Sequence, residues 1–193
     1  VYGGASAEYG DFSGSLVKMI TKSGSNRFFG SIGLNFTNNR LTDRNSDEII
    51  SAWATKDNSY DFQLGGPILK DKLWFFADVT HKPSANYFTA TDAQDSYIYR
   101  QYVAKLTASF SPKHRTNLST FQEFNDAKNW GCSNPYAAES TWYDMDYRTQ
   151  QVALNHTSFF RENLIFDLNI SHHWSYYHYP NHSDEPAVYN YVC

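Results

Sequence analysis

The stretch LIFDLNIS at residues 164–171 alternates apolar and polar side chains without a break. Leu164, Phe166, Leu168 and Ile170 fall on one side of an extended chain, and Asp167, Asn169 and Ser171 on the other. Period two is the pattern of a strand with one dry and one wet face. It recurs over about 27–37, where Phe28, Ile32, Leu34 and Phe36 share a face with Gly30, and Ser31, Gly33, Asn35 and Thr37 lie opposite. It recurs again over about 99–110, with Tyr102, Ala104, Leu106, Ala108 and Phe110 on one side and Gln101, Lys105, Thr107 and Ser109 among those on the other. Four noisier strands are expected at 58–66, 73–81, 116–125 and 148–160. Adjacent aromatics in LWFFADV blur the faces of the second of these. No helix longer than a turn is expected; SDEIISAWA at 46–54 suits such a turn.

Composition agrees with a two-faced sheet. Aromatic residues make up 18% of the chain and charged residues 19%, yet mean hydropathy is −0.60. No window reaches the ~18 consecutive apolar residues of a membrane helix, which leaves a membrane barrel open. No basic-then-apolar leader follows Val1, so the sequence reads as a mature or truncated piece. A net charge of −4 is too small to point to nucleic acid as a partner. Cys132 and Cys193 match no zinc or redox spacing.

The links between strands are informative. Long polar links are expected at 38–57, 82–98 and 126–147, and short ones at 67–72, 111–115 and 161–163. Long and short alternate, which puts tight turns on one side and loops on the other. Membrane barrels are built this way.

Four of the seven histidines lie in SHHWSYYHYPNH at 171–182. His172 and His173 point to opposite sides of a strand. His172 and His178 share a side but stand about 20 Å apart at ~3.3 Å per residue. A metal site is therefore not expected. The dry face instead passes from aliphatic residues to Trp174 and Tyr176, as an interfacial girdle does.

Residues 1–26 are small and glycine-rich. GASAEYGDFSGSLVKMITKSGSN resembles the end of the plug domain of TonB-dependent outer-membrane receptors, in the form typical of the Oar-like branch. FFGSIGLNF, DFQLGGPILKDKLWFFADV and RQYVAKLTASFSPKHRTNLS resemble the first five barrel strands of that branch in order. The resemblance covers 1–119. It implies an all-β fold: a partial transmembrane antiparallel β-barrel of about seven up-and-down strands (27–193), preceded by the C-terminal piece of a plug (1–26). It also implies a Gram-negative outer-membrane location, with long loops extracellular and short turns periplasmic. Partners would be outer-membrane lipid, a TonB-type energy-coupling protein acting through a segment absent here, and an unknown transported ligand. No cofactor and no catalysis are implied.

Glu8, Tyr9, Gly10, Gly14, Thr21, Lys22 and Gly24 carry the plug likeness. The glycines suit tight turns or close backbone approach, and Glu8 and Lys22 suit pairing with the barrel wall. Trp130, Tyr136, Trp142 and Tyr143 are loop aromatics suited to ligand contact. Cys132 and Cys193 fall in two outer loops of an oxidising envelope and are a candidate disulfide. Seven strands do not close a barrel of even strand number, so an open edge is expected. The competing reading is a soluble or cell-surface carbohydrate-binding β-domain that uses Trp130, Trp142, Tyr143 and Trp174 for stacking. An enzyme is the weakest reading, because no nucleophile elbow or HExxH is present. The first two readings differ on one point: a membrane barrel keeps charge off one face of every spanning strand.

Overall fold

The computed structural model describes residues 22–38, 53–88, 91–134, 139, 142–161 and 164–180. Seven strands form one sheet: β1 (Phe29–Asn38), β2 (Trp53–Leu69), β3 (Leu73–Phe88), β4 (Ala93–Ser111), β5 (His114–Trp130), β6 (Tyr143–Arg161) and β7 (Leu164–His178). They lie side by side in sequence order, each antiparallel to the next. This up-and-down order is that of an unclosed barrel wall.

The alternation read from the sequence propagates across every ladder. One register row joins Phe75, Leu106, Leu118, Leu154 and Ile170. A row further from the tight turns joins Ile32, Phe62, Val79 and Tyr102, then Gln122, Gln150 and Trp174. Side chains that start apolar on β1 thus stay on one face to β7. That face lies open: Ile32 is 72% and Leu34 62% exposed. The opposite face carries Asp61, Gln63, Thr80, Gln101, Lys105, Asn117, Asn155 and Asn169. Asp61 there accepts hydrogen bonds from Ser59 Oγ (2.7 Å) and Thr80 Oγ1 (2.8 Å).

The rows also yield a strand tilt. Ile32 is the middle of the apolar run on β1, whereas the middle of the run on β7 is Leu168. The residue in register with Ile32 is Trp174, six positions beyond Leu168 and six strands along. The apolar band therefore slips about one residue per strand. At ~3.3 Å per residue and ~4.8 Å between strands, the strands lean by roughly 35°, inside the ~35–45° range of membrane barrels.

Gly65 and Gly66 explain the LGGP sequence. A Cβ on Gly66 would come within 2.3 Å of the Phe28 ring, and one on Gly65 within 2.5 Å of the Phe29 ring. The bare backbone seats both rings, which reach across to Phe75 and Phe76 at 6.3 Å each. Phe75 lies on the apolar face, and Phe76 on the polar face is 4% exposed. The adjacent aromatics of LWFFADV thus serve two different faces.

Strand lengths correct the sequence reading. β2 to β6 all run well past the expected ends at 66, 81, 110, 125 and 160 or begin well before the expected starts. The expected long link at 82–98 is reduced to 89–92, so strict alternation of long and short links fails there. Residues 53 and 54 belong to β2 rather than to a helical turn, and 46–52 lie outside the described residues. The reason is that apolar alternation reports only where a strand meets a dry surface. Ladder hydrogen bonds continue wherever two backbones stay alongside each other in register. Pro83 concealed β3 further. The β2–β3 ladder skips from Tyr60↔His81 to Asp57↔Ser84, because Pro83 has no N–H to donate. At ~3.4 Å per residue the 19 residues of β4 reach about 65 Å. Leaning, they rise roughly 50 Å, twice the ~25 Å apolar band of a membrane barrel.

Candidate functional site: a polar wall between two rims

At the tight-turn rim, the chain enters across the polar face. Lys22 Nζ donates to Gln63 Oε1 of β2 at 2.9 Å. Gly24 lies so close to β3 that a Cβ would meet the Phe75 carbonyl oxygen at 2.3 Å and Trp74 Cβ at 2.8 Å. Glycine is needed there for close approach. Asn26 then ties the segment down. Its Oδ1 accepts from Trp74 Nε1 (2.7 Å) and from the Asp71 backbone N–H (2.9 Å), and its amide donates to the Asp71 carboxylate. Asp71 sits at the β2–β3 turn with φ 62°. A cavity of about 270 Å³ remains between this segment and the wall, lined by Trp74, Thr107, Ser109 and Arg115. Of the residues carrying the plug likeness, Lys22 and Gly24 are thus against the wall. Glu8, Tyr9, Gly10, Gly14 and Thr21 lie outside the described residues.

At the other rim the strands stand clear of the apolar band. Trp130 ends β5 and is in register with Tyr143 at the start of β6. Asn129 (φ 57°) and Gly131 (φ 97°), on either side of Trp130, take the left-handed backbone that starts the turn. Asn129 holds the tip by donating its backbone N–H to Asp144 Oδ1 (3.1 Å) and its amide to Gln94 O (2.8 Å). The indole Nε1 of Trp142 is buried without a hydrogen-bond partner among the described residues. Cys132 is fully buried in this tip. Burial pushes its thiol pKa up, and the Asp95 carboxylate adds to the effect. Tyr136 and Cys193 lie outside the described residues, and with them the expected Cys132–Cys193 bridge.

Trp174 and Tyr176 fall on the apolar face just beyond Ile170, their rings stacked at 6.3 Å. Charges on that face begin at the same level, and two pairs among them are bridged. Arg100 bridges Asp126, and Arg148 bridges Asp146 at 2.9 Å while lying 5.9 Å from the Phe124 ring. Charge is thus excluded from the apolar band and resumes above it.

Sequence reasoning missed the wall between the rims. On the polar face Tyr99, Asn125, Tyr147 and Tyr177 form one register row. Tyr147 and Tyr177 rings lie 4.5 Å apart, and Tyr179 continues the cluster to Tyr143 at 5.7 Å. Asn125 is buried between them and donates to Glu123 Oε1 at 2.6 Å. The signal was available as Tyr at 97, 99, 147 and 177, but only cross-strand register brings those positions together. His173 also belongs to this face, within 2.8 Å of Ser175 Oγ, whereas His172 lies on the other. Among the described residues no three His, Cys, Asp or Glu side chains converge as a metal site would need.

An open antiparallel sheet with one apolar band, a tilt near 35° and paired charge above the band defines a wall of an outer-membrane β-barrel. Residues 20–84 match a family described as outer membrane beta barrel domain, from the entering segment through most of β3. Over 84 residues the chain is 42% identical to the TonB-dependent transporter Oar of Myxococcus xanthus, covering 40% of this chain and 8% of that transporter. No solved structure matches the chain. The match is at family level, to TonB-dependent, Oar-like outer-membrane β-barrel proteins, and the chain resides in the bacterial outer membrane.

Proposed function

We propose that this chain is the part of a TonB-dependent transporter where the end of the plug (1–26) passes into the first seven strands of the barrel (27–193). The transporter binds its ligand with extracellular loops and moves it through the plugged barrel. A TonB-type protein in the periplasm supplies the energy through an earlier part of the plug. No covalent chemistry is assigned to the wall. The observation that carries this reading is the course of residues 22–27. They cross the polar face at the tight-turn rim, fastened by Lys22 and Asn26, as a plug leaving a lumen on the periplasmic side would. The extensive exposed apolar face weighs against a soluble carbohydrate-binding domain. Trp130, Trp142 and Tyr143 stand as ligand-contact candidates at the outer rim, with Tyr99, Tyr147 and Tyr177 below them, and Tyr136 remains a candidate from the sequence alone.

The topology supplies the test. Asp92→Cys lies in the 89–92 link and Lys113→Cys in the opposite tight turn. In intact cells carrying the complete receptor, an impermeant maleimide should label position 92 and reach position 113 only after the outer membrane is opened. The reverse pattern would invert the barrel and remove the proposed plug exit.

A further inference from the structure

The apolar face carries one polar chain where lipid contact leads one to expect none. Thr116 Oγ1 lies 2.8 Å from His156 Nδ1, His156 Nε2 lies 2.7 Å from Ser158 Oγ, and Ser158 Oγ lies 2.8 Å from His114 Nδ1. The two imidazoles stack at 6.1 Å with 13° between planes, and Phe160 closes on His114 edge-on at 6.2 Å. Ser158 is 2% exposed beneath them. All four residues are in register rows with the lipid-side positions Leu168 and Phe166. Given the slip of one residue per strand, His156 stands near the middle of the apolar band and His114 near its tight-turn edge. The chain thus leads from the dry interior of the band to its margin.

Hydrogen bookkeeping favours one direction for this chain. With Thr116 donating to His156 Nδ1, His156 Nε2–H donates to Ser158 and Ser158 donates to His114 Nδ1. Every polar hydrogen before His114 then has an acceptor, and His114 Nε2–H is left as the donor at the margin. The opposite direction leaves the Thr116 hydroxyl hydrogen without an acceptor in an apolar setting, which is costly. The residues around that donor are basic. Lys113 precedes His114, and its carbonyl accepts from Phe159 N–H across the hairpin at 2.8 Å. Arg161 is two residues further along β6, and both basic side chains are exposed. Of the nearby acids, Asp167 is on the polar face and bonded to Thr157 at 2.7 Å, and Glu162 lies outside the described residues.

We propose that His114, Lys113 and Arg161 form a site for the phosphate headgroup of an anionic phospholipid in the leaflet facing the tight turns. The half-buried Thr116–His156–Ser158 chain orients the His114 donor toward it. Charge complementarity selects the phosphate, and the adjoining exposed Phe160, Leu164 and Phe166 suit the acyl chains. The inference rests on the outer-membrane barrel reading but not on transport.

The test uses the complete barrel that carries this segment, in detergent, mixed with dioleoyl phosphatidylglycerol or dioleoyl phosphatidylcholine. Native mass spectrometry counts retained lipids, and heat-dependent gel mobility confirms that each variant is folded. Phosphatidylglycerol should be retained preferentially. Lys113→Gln and Arg161→Gln should each lower that preference about five-fold, from ~1 kcal/mol per basic side chain near a membrane surface. His114→Phe, which keeps the ring packing on Phe160 but removes the donor, should also lower it. Equal retention of the two lipids would overturn the proposal, as would a preference unchanged in the Lys113→Gln/Arg161→Gln double variant. Displacement of the lipid by inorganic phosphate at an equal concentration would mark a free-anion site and overturn the lipid assignment. Unaltered protein that shows no heat-dependent mobility shift would instead count against the barrel reading itself.

Discussion

Replacing Leu106 by arginine tests the two-faced wall at its centre. Leu106 lies on β4, which is paired on both sides, and its register row holds Phe75, Leu118, Leu154 and Ile170. The level of Ile32 corresponds on β4 to Tyr102, displaced by the tilt about three residues toward the tight turn. The midplane therefore passes close to position 105, within about 3 Å of Leu106. An outward arginine at the midplane costs ~2–4 kcal/mol. Phe110 lies four residues lower, about 11 Å along the membrane normal at this tilt, where the cost falls to ~0–1 kcal/mol. Val103 is close to the midplane but on the polar face, in register with Asp78. Arginine there meets water and an opposite charge, and should cost under ~1 kcal/mol. The assay is reversible denaturant unfolding of the complete barrel in lipid vesicles, followed by tryptophan fluorescence. The expected order of destabilisation is Leu106→Arg far above Phe110→Arg and Val103→Arg. Equal losses at 103 and 106 would refute the face assignment. Equal losses at 106 and 110 would refute the tilt and depth.

Gly66→Val should destabilise the barrel by ~1–3 kcal/mol through overpacking against Phe28; the same unfolding assay should show part of that loss recovered in Gly66→Val/Phe28→Ala. Asn26→Ala removes the acceptor of Trp74 Nε1 and the Asp71 N–H, and because the site is exposed water takes its place, so the loss should be under ~1 kcal/mol; faster proteolysis ahead of β1 is the expected readout, and unchanged cleavage would show that the latch does not hold the segment. Burial and Asp95 raise the Cys132 pKa, so near pH 8.5, where an ordinary thiol is half thiolate, Cys132 remains mostly protonated. Its alkylation in the folded barrel should be slow, should rise with pH, and should quicken in Asp95→Asn; a rate equal to that of the unfolded chain would contradict its burial.

How much of this was legible beforehand can be judged residue by residue. Alternation with the spacing of the links gave seven strands, the apolar side of Phe28–Phe36, Tyr102–Phe110 and Leu164–Ile170, and short turns within 67–72 and 111–115. A side chain's face in a strand depends only on its own parity, which is a local property. Gly24 and Lys22 were also legible, as a glycine demanding close approach and a charge needing a wall partner. Strand length was not legible above the band, because Ser84, Asp126 and Asp146 stay in the ladder by backbone pairing and polar contacts and carry no apolar signal. Nor were the Tyr99–Asn125–Tyr147–Tyr177 row and the Thr116–His156–Ser158–His114 chain. Each joins residues from separate strands, and which residues meet depends on register. Register is a property of the pairing between strands, set by the turns, the bulges and the slip of the band from β1 to β7. Only the tertiary structure decides it.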